Sequence, residues 1–196
     1  MTLFRTLPGI ALFSLSAMGL SSCLTPPDFP ITPEIDFKET QVTHIPAGTQ
    51  DAVDELTFVL NFRDGDGDLG LSKDDILLPP YNQPPRLPVP QRNHTTNEYN
   101  YFIQPYLKDP VTGQFTRFTT PPPFGKIGQY DGTYPRLDAI NAKPAPLQGE
   151  LRYLLPISLD GSVYQKGQVF RYEITILDRA LHVSNTVTSA EITLGQ

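Results

Sequence analysis

The chain has 196 residues with 21 Asp and Glu against 15 Lys and Arg, for a formal net charge of -6. That balance excludes nucleic acid and anionic headgroups as natural partners, since both reward clustered Lys and Arg, and leaves divalent cations in play. A single cysteine excludes an internal disulfide, and 21 prolines spread along the sequence exclude long amphipathic helices.

The N-terminus carries one basic residue, Arg5, followed by an apolar run from Leu7 to Leu20. The run is broken by Gly, Pro and Ser and is too short for a spanning helix, which needs ~20 apolar residues. It reads as the h-region of a secretory signal over residues 1–22. The next motif, Leu20-Ser21-Ser22-Cys23, resembles the lipobox of bacterial lipoproteins. The resemblance implies an acylated Cys23 (palmitate among its chains) and anchoring in a lipid bilayer; several chains at ~0.8 kcal/mol per buried CH₂ hold durably where one does not. Residues 23–34 include Pro26, Pro27, Pro30 and Pro33 and read as a semi-rigid tether.

From residue 35 to 196 the pattern is that of one β-domain. Ile35–Val42 is a candidate strand. Leu56, Phe58, Leu60 and Phe62 alternate with other residues and define a second. A Pro-, Asn- and Gln-rich stretch at 79–97 reads as an exposed loop. Further candidates are Tyr99–Leu107 and Gln114–Phe118, followed by a long Pro- and Gly-rich loop at 119–149. Leu151, Tyr153, Leu155 and Ile157 then mark a strand, as do Phe170, Tyr172, Ile174 and Ile176, and Val187–Leu194 closes the series. About seven short strands, each with one apolar face, predict an all-β fold: a single antiparallel β-sandwich, immunoglobulin-like or fibronectin III-like.

The densest chemistry lies directly after the second strand, in Asp64-Gly65-Asp66-Gly67-Asp68-Leu69-Gly70. Glycines between carboxylates let the backbone turn tightly enough to aim several oxygens at one point. Bare carboxylates at that spacing repel, and a hard cation such as Ca²⁺, which takes 6–8 oxygen ligands, reverses the sign. Against an EF-hand loop, Asp64, Asp66, Asp68 and Asp75 fall on positions 1, 3, 5 and 12. Gly sits at position 7 instead of 6, position 12 is not Glu, and flanking helices are missing. The competing reading is a solvated Asp-Gly turn, with Ser72-Lys73-Asp74-Asp75 forming a capping box that occupies Ser72 and Asp75.

In a seven-strand sandwich the loops after the second and sixth strands share one end. Asp178 keeps the inward parity of Ile174 and Ile176, so its carboxylate needs a partner. The expected Ca²⁺ site is therefore Asp64, Asp66, Asp68, Asp75 and Asp178, with Asn185 as a further oxygen and Arg179 directed away. The alternative for Asp178 is a backbone N–H or an arginine from another loop.

Three segments beyond the lipobox carry a wider resemblance: Phe62-Arg63-Asp64-Gly65-Asp66-Gly67-Asp68-Leu69-Gly70, Pro146–Tyr153 and Leu177-Asp178-Arg179-Ala180-Leu181-His182-Val183-Ser184-Asn185. Together they resemble uncharacterised envelope lipoproteins of Bacteroidota-type bacteria. That implies a β-rich domain in the cell envelope, at the outer membrane, and no particular activity. Surface display in that lineage goes with acidic residues just after the lipidated Cys. Here Leu24-Thr25-Pro26-Pro27 precede Asp28, so the leaflet stays open.

Function divides three ways. His44, His94 and His182 show no zinc-ligand spacing, and no nucleophile elbow or phosphate loop is present, so a metal-dependent enzyme is disfavoured. His182 with Ser184 lacks a third catalytic group. Tyr99, Tyr101, Tyr106, Tyr130 and Tyr134 could serve a carbohydrate-binding module, although no Trp is available as a stacking platform. The leading expectation is a non-catalytic, lipid-anchored sandwich contacting an envelope protein partner.

Overall fold

The computed structural model describes residues 27–84, 94, 96–121, 125 and 128–196. The expected signal, Cys23 and the first residues of the tether lie outside the described residues, as do parts of both long loops. Among the described residues, eight strands form two antiparallel sheets. They are β1 (Glu34–Ile45), β2 (Val53–Asp64), β3 (Tyr101–Lys108), β4 (Phe115–Arg117), β5 (Leu147–Ser158), β6 (Val169–Ile176), β7 (Val187–Thr188) and β8 (Ile192–Thr193). One sheet runs β1-β2-β5 and the other β4-β3-β6-β7, with β8 also on β6. The short element between the sheets at Asp75–Leu77 is a 3₁₀ turn. This is the expected antiparallel sandwich. Its fourth strand pairs with β3 and not beside β5, unlike the constant-type immunoglobulin order.

The alternation in the sequence sets which face is buried. Leu56, Phe58 and Leu60 of β2, Leu151, Leu155 and Ile157 of β5, and Phe170, Tyr172, Ile174 and Ile176 of β6 meet in one core. Phe58 and Tyr172 touch across the sheets with ring centroids 4.9 Å apart. Strand β5 reaches further toward its N-terminus than the apolar pattern indicates, because it pairs with the whole of β2, from Asp64↔Leu147 to Val53↔Ser158. Backbone pairing continues there past the last core side chain.

The expected last strand, Val187–Leu194, is instead two short ones. Between them Ser189 donates its N–H to the Tyr172 carbonyl at 2.8 Å, and its hydroxyl accepts the Tyr172 N–H at 2.9 Å. Ser184 does the same to Ile176, with N–H to carbonyl at 3.0 Å and hydroxyl accepting N–H at 3.0 Å. A hydroxyl thus replaces a ladder carbonyl at two points along β6, so its backbone groups stay satisfied while the partner strand breaks.

Both β2 and β6 run inward-facing residues to their ends. On β2 the even positions continue through Phe62 to Asp64, and on β6 through Ile176 to Asp178, and both aspartates are buried. Leu69 and Asp178 form an antiparallel bridge, so the two strand ends meet at one pole of the sandwich.

Candidate metal centre

Asp64, Asp66, Asp68 and Asp178 each place one carboxylate oxygen within 4.8 Å of the others. The backbone that brings them together is fixed by three glycines. Gly67 and Gly70 have φ of 68° and 84°, a region that favours glycine, and an added Cβ on them would strike the Ala145 and Pro135 carbonyls. An added Cβ on Gly65 would collide with the Phe29 and Pro30 carbonyl oxygens. Inside the turn, the Asp68 N–H donates to Asp64 Oδ2 at 2.9 Å. The Arg179 and Ala180 N–H groups donate to Asp68 Oδ1 and Oδ2 at 3.3 and 3.1 Å.

These donors leave oxygens over. Asp64 is fully buried and its Oδ1 has no hydrogen-bond partner; Asp66 Oδ1 is likewise buried and unpartnered. Burial pushes the Asp64 carboxyl up to about 7, reinforced by Asp66, Asp68 and Asp178 and opposed by the Asp68 N–H. Burial also raises Asp68, with Asp66 adding to the effect and Arg179 opposing it. Asp178 is raised to about 6, again chiefly by burial, although His182 works against the shift. Its Oδ1 accepts the His182 N–H at 2.7 Å, and its Oδ2 lies 2.8 Å from His182 Nδ1. That bond holds the imidazole above its ordinary range.

The donor set is all oxygen and carries up to four negative charges, which suits a hard divalent cation. Ca²⁺ holds ligands at ~2.3–2.6 Å, so oxygens on opposite sides of one ion are ~4.6–5.2 Å apart. Four carboxylates already within 4.8 Å can therefore share a Ca²⁺ with little rearrangement.

Four of the five expected ligands converge; Asp75 does not. Its Oδ2 accepts the Ser72 N–H at 2.8 Å, its own N–H donates to Ser72 Oγ at 3.1 Å, and Arg136 lies 3.6 Å away. That is the capping-box alternative, and these bonds hold the Asp75 carboxyl below its usual range despite burial. Asn185 also serves elsewhere. It accepts the Ile35 N–H at 2.8 Å and donates to the Ile35 carbonyl at 2.7 Å, pinning β1. Arg179 is not directed away: its guanidinium donates to the Leu69 and Gly70 carbonyls at 3.2 Å and to Asp138 at 2.8 Å. Asp138 is also bound by Arg136 at 2.7 Å, and nothing in the local sequence marks this Arg-Asp-Arg cluster. It joins positions 41 apart that only folding brings together.

The other candidate groups are occupied. His44 lies 2.6 Å from buried Asp54, and His94 is 2.8 Å from Asp131 and stacked on Tyr99 at 3.7 Å. The Ser184 hydroxyl accepts the Ile176 N–H and donates to the Asn185 carbonyl. Tyr101 is buried between Tyr134 and Tyr153, and Tyr106 bonds Glu173 under the Arg171 guanidinium. Among the described residues no helix is long and apolar enough to cross a membrane. In comparisons with known proteins, no family model, no curated protein and no solved structure matches this chain.

Proposed function

We propose that this chain is a non-catalytic, lipid-anchored β-sandwich of the cell envelope, held at the outer membrane through Cys23 and stabilised at one pole by Ca²⁺. It works as an accessory subunit through contacts with an envelope protein. The anchor rests on the lipobox motif. The calcium reading is carried by one observation: the fully buried, unpartnered Oδ1 of Asp64, facing three more carboxylates. A buried polar atom left bare costs stability, and a divalent cation is the partner that satisfies all four groups at once. The non-catalytic reading is supported by the Ser184 hydroxyl, which is engaged with the Ile176 N–H and the Asn185 carbonyl. One face of Tyr99 is stacked on His94 and Tyr101 is fully buried, which leaves less aromatic surface for sugar binding.

Differential scanning calorimetry with Ca²⁺ and with EDTA tests the reading. At 100 times Kd a ligand that binds only the folded state adds ~2.7 kcal/mol. For a domain of this size that raises Tm by about 5–10 °C. Equal melting temperatures in saturating Ca²⁺ and in chelator would defeat it.

A further inference from the structure

The aspartate loop does more than gather carboxylates; it also holds the segment that leads toward Cys23. The β1–β2 ladder ends at Glu34↔Arg63. Beyond it the two segments stay together, and the Gly65 N–H donates to the Pro30 carbonyl at 2.8 Å. Contact there is so close that Gly65 has no room for a Cβ against the Phe29 and Pro30 carbonyls. Gly65 lies between two of the four clustered carboxylates, Asp64 and Asp66. The next peptide out is used the same way: the Asp66 carbonyl accepts the Ala145 N–H at 3.1 Å. Between Pro30 and the buried Pro33 the segment is exposed. Ile31 is 57% exposed, and Thr32 lines a cleft of about 430 Å³ with Glu34 and Arg63.

We infer that cation occupancy at Asp64, Asp66, Asp68 and Asp178 controls the grip of the domain on residues 29–30, and through them the orientation of the sandwich relative to its lipid anchor. This rests on the calcium reading above. Bound cation fixes the 64–68 backbone and so aims the Gly65 N–H at Pro30. Without it the four carboxylates repel, the loop opens, and the hydrogen bond goes with it. Six residues separate Cys23 from Pro30, and the seven steps between them reach at most ~25 Å. A clamped Pro30 therefore holds the aspartate pole close to the bilayer, and a released one lets the whole domain swing on a longer tether.

Hydrogen exchange with mass spectrometry on the full chain in detergent, with Ca²⁺ and with EDTA, reads this directly. Calcium is expected to slow exchange at the Gly65 N–H, the donor to Pro30, by about tenfold or more, as for a locally closed segment. In the double variant Phe29→Gly/Pro30→Gly, which loosens the linker and leaves the 64–68 loop and its carboxylates unaltered, calorimetry should still detect Ca²⁺ while the slowing at Gly65 disappears. In Asp66→Asn both should be lost, with exchange in β2 and β6 unchanged. Calcium uptake by the wild type with no slowing at Gly65 would overturn the clamp and leave the metal site standing. Slowing at Gly65 in Phe29→Gly/Pro30→Gly equal to wild type would also overturn it. No calcium uptake at all would remove both.

Discussion

Asp64 sits where two demands conflict. The alternation of β2 carries it inward behind Leu60 and Phe62, yet it is a carboxylate with a bare oxygen. Without cation its carboxyl is pushed up to about 7 from an ordinary 3.8. For an acid whose folded pKa is raised, the stabilising contribution of the proton is complete below the unfolded value. It is lost as pH rises through the folded value. The metal-free protein should therefore lose stability from this group between pH ~4 and ~7. In EDTA, Asp64→Asn should match wild type near pH 4 and melt about 4–8 °C higher at pH 8.5, since an unpaired buried charge costs a few kcal/mol. In saturating Ca²⁺ the order should reverse. Thermal melts across that pH range decide it, and an Asp64→Asn less stable than wild type in EDTA at every pH would refute it. The parity of Asp64 and Asp178 is readable from residues two and four positions earlier. The division of labour between Asp75 and its neighbours is less so, because a capping box and a calcium loop ask for the same residue types at nearly the same spacing.

Among the elements, β6 is the one every neighbour uses: β3 lies on one edge, and β7 and β8 share the other. Its apolar alternation makes it legible as a strand. The break in its partner is not, because Ser189 reads as an ordinary polar residue until its hydroxyl is seen accepting the Tyr172 N–H. Ser189→Ala removes that acceptor and leaves a buried donor unsatisfied, which should cost about 1–3 kcal/mol in urea unfolding with the m-value unchanged. A loss below a few tenths of a kcal/mol would mean that the N–H finds another partner. Strands β1 and β5 extend past their apolar residues for a related reason: pairing with β2 satisfies backbone groups whatever the side chains are.

At the level of the domain, three stretches far apart in sequence close on the aspartate loop. They are the tether at Pro30, the 119–149 loop at Pro135, Asp138 and Ala145, and the turn after β6 at Asp178–His182. The long loop is therefore a structural wall of that pole and not a free insertion. With the tether leaving from the same pole, the proposed anchor and the proposed metal site belong to one end of the molecule. Cys23→Ser should move the protein from the membrane to the soluble fraction on cell fractionation and remove its crosslinks to envelope proteins in intact cells. Retention of the variant in the membrane fraction would rule out Cys23 as the anchor.

Periodicity and composition alone determined the all-β class, the core faces of β2, β5 and β6, the acidic turn and the inward aim of Asp178, since all of these follow from side-chain alternation along single strands. Tertiary structure decided that Asp178 meets Asp64, Asp66 and Asp68, that Asp75 and Asn185 serve other partners, and that Arg179 and Asp138 brace the loop. Those outcomes depend on which strand ends share a pole and how long loops fold over it, and no local pattern encodes distances between segments a hundred residues apart.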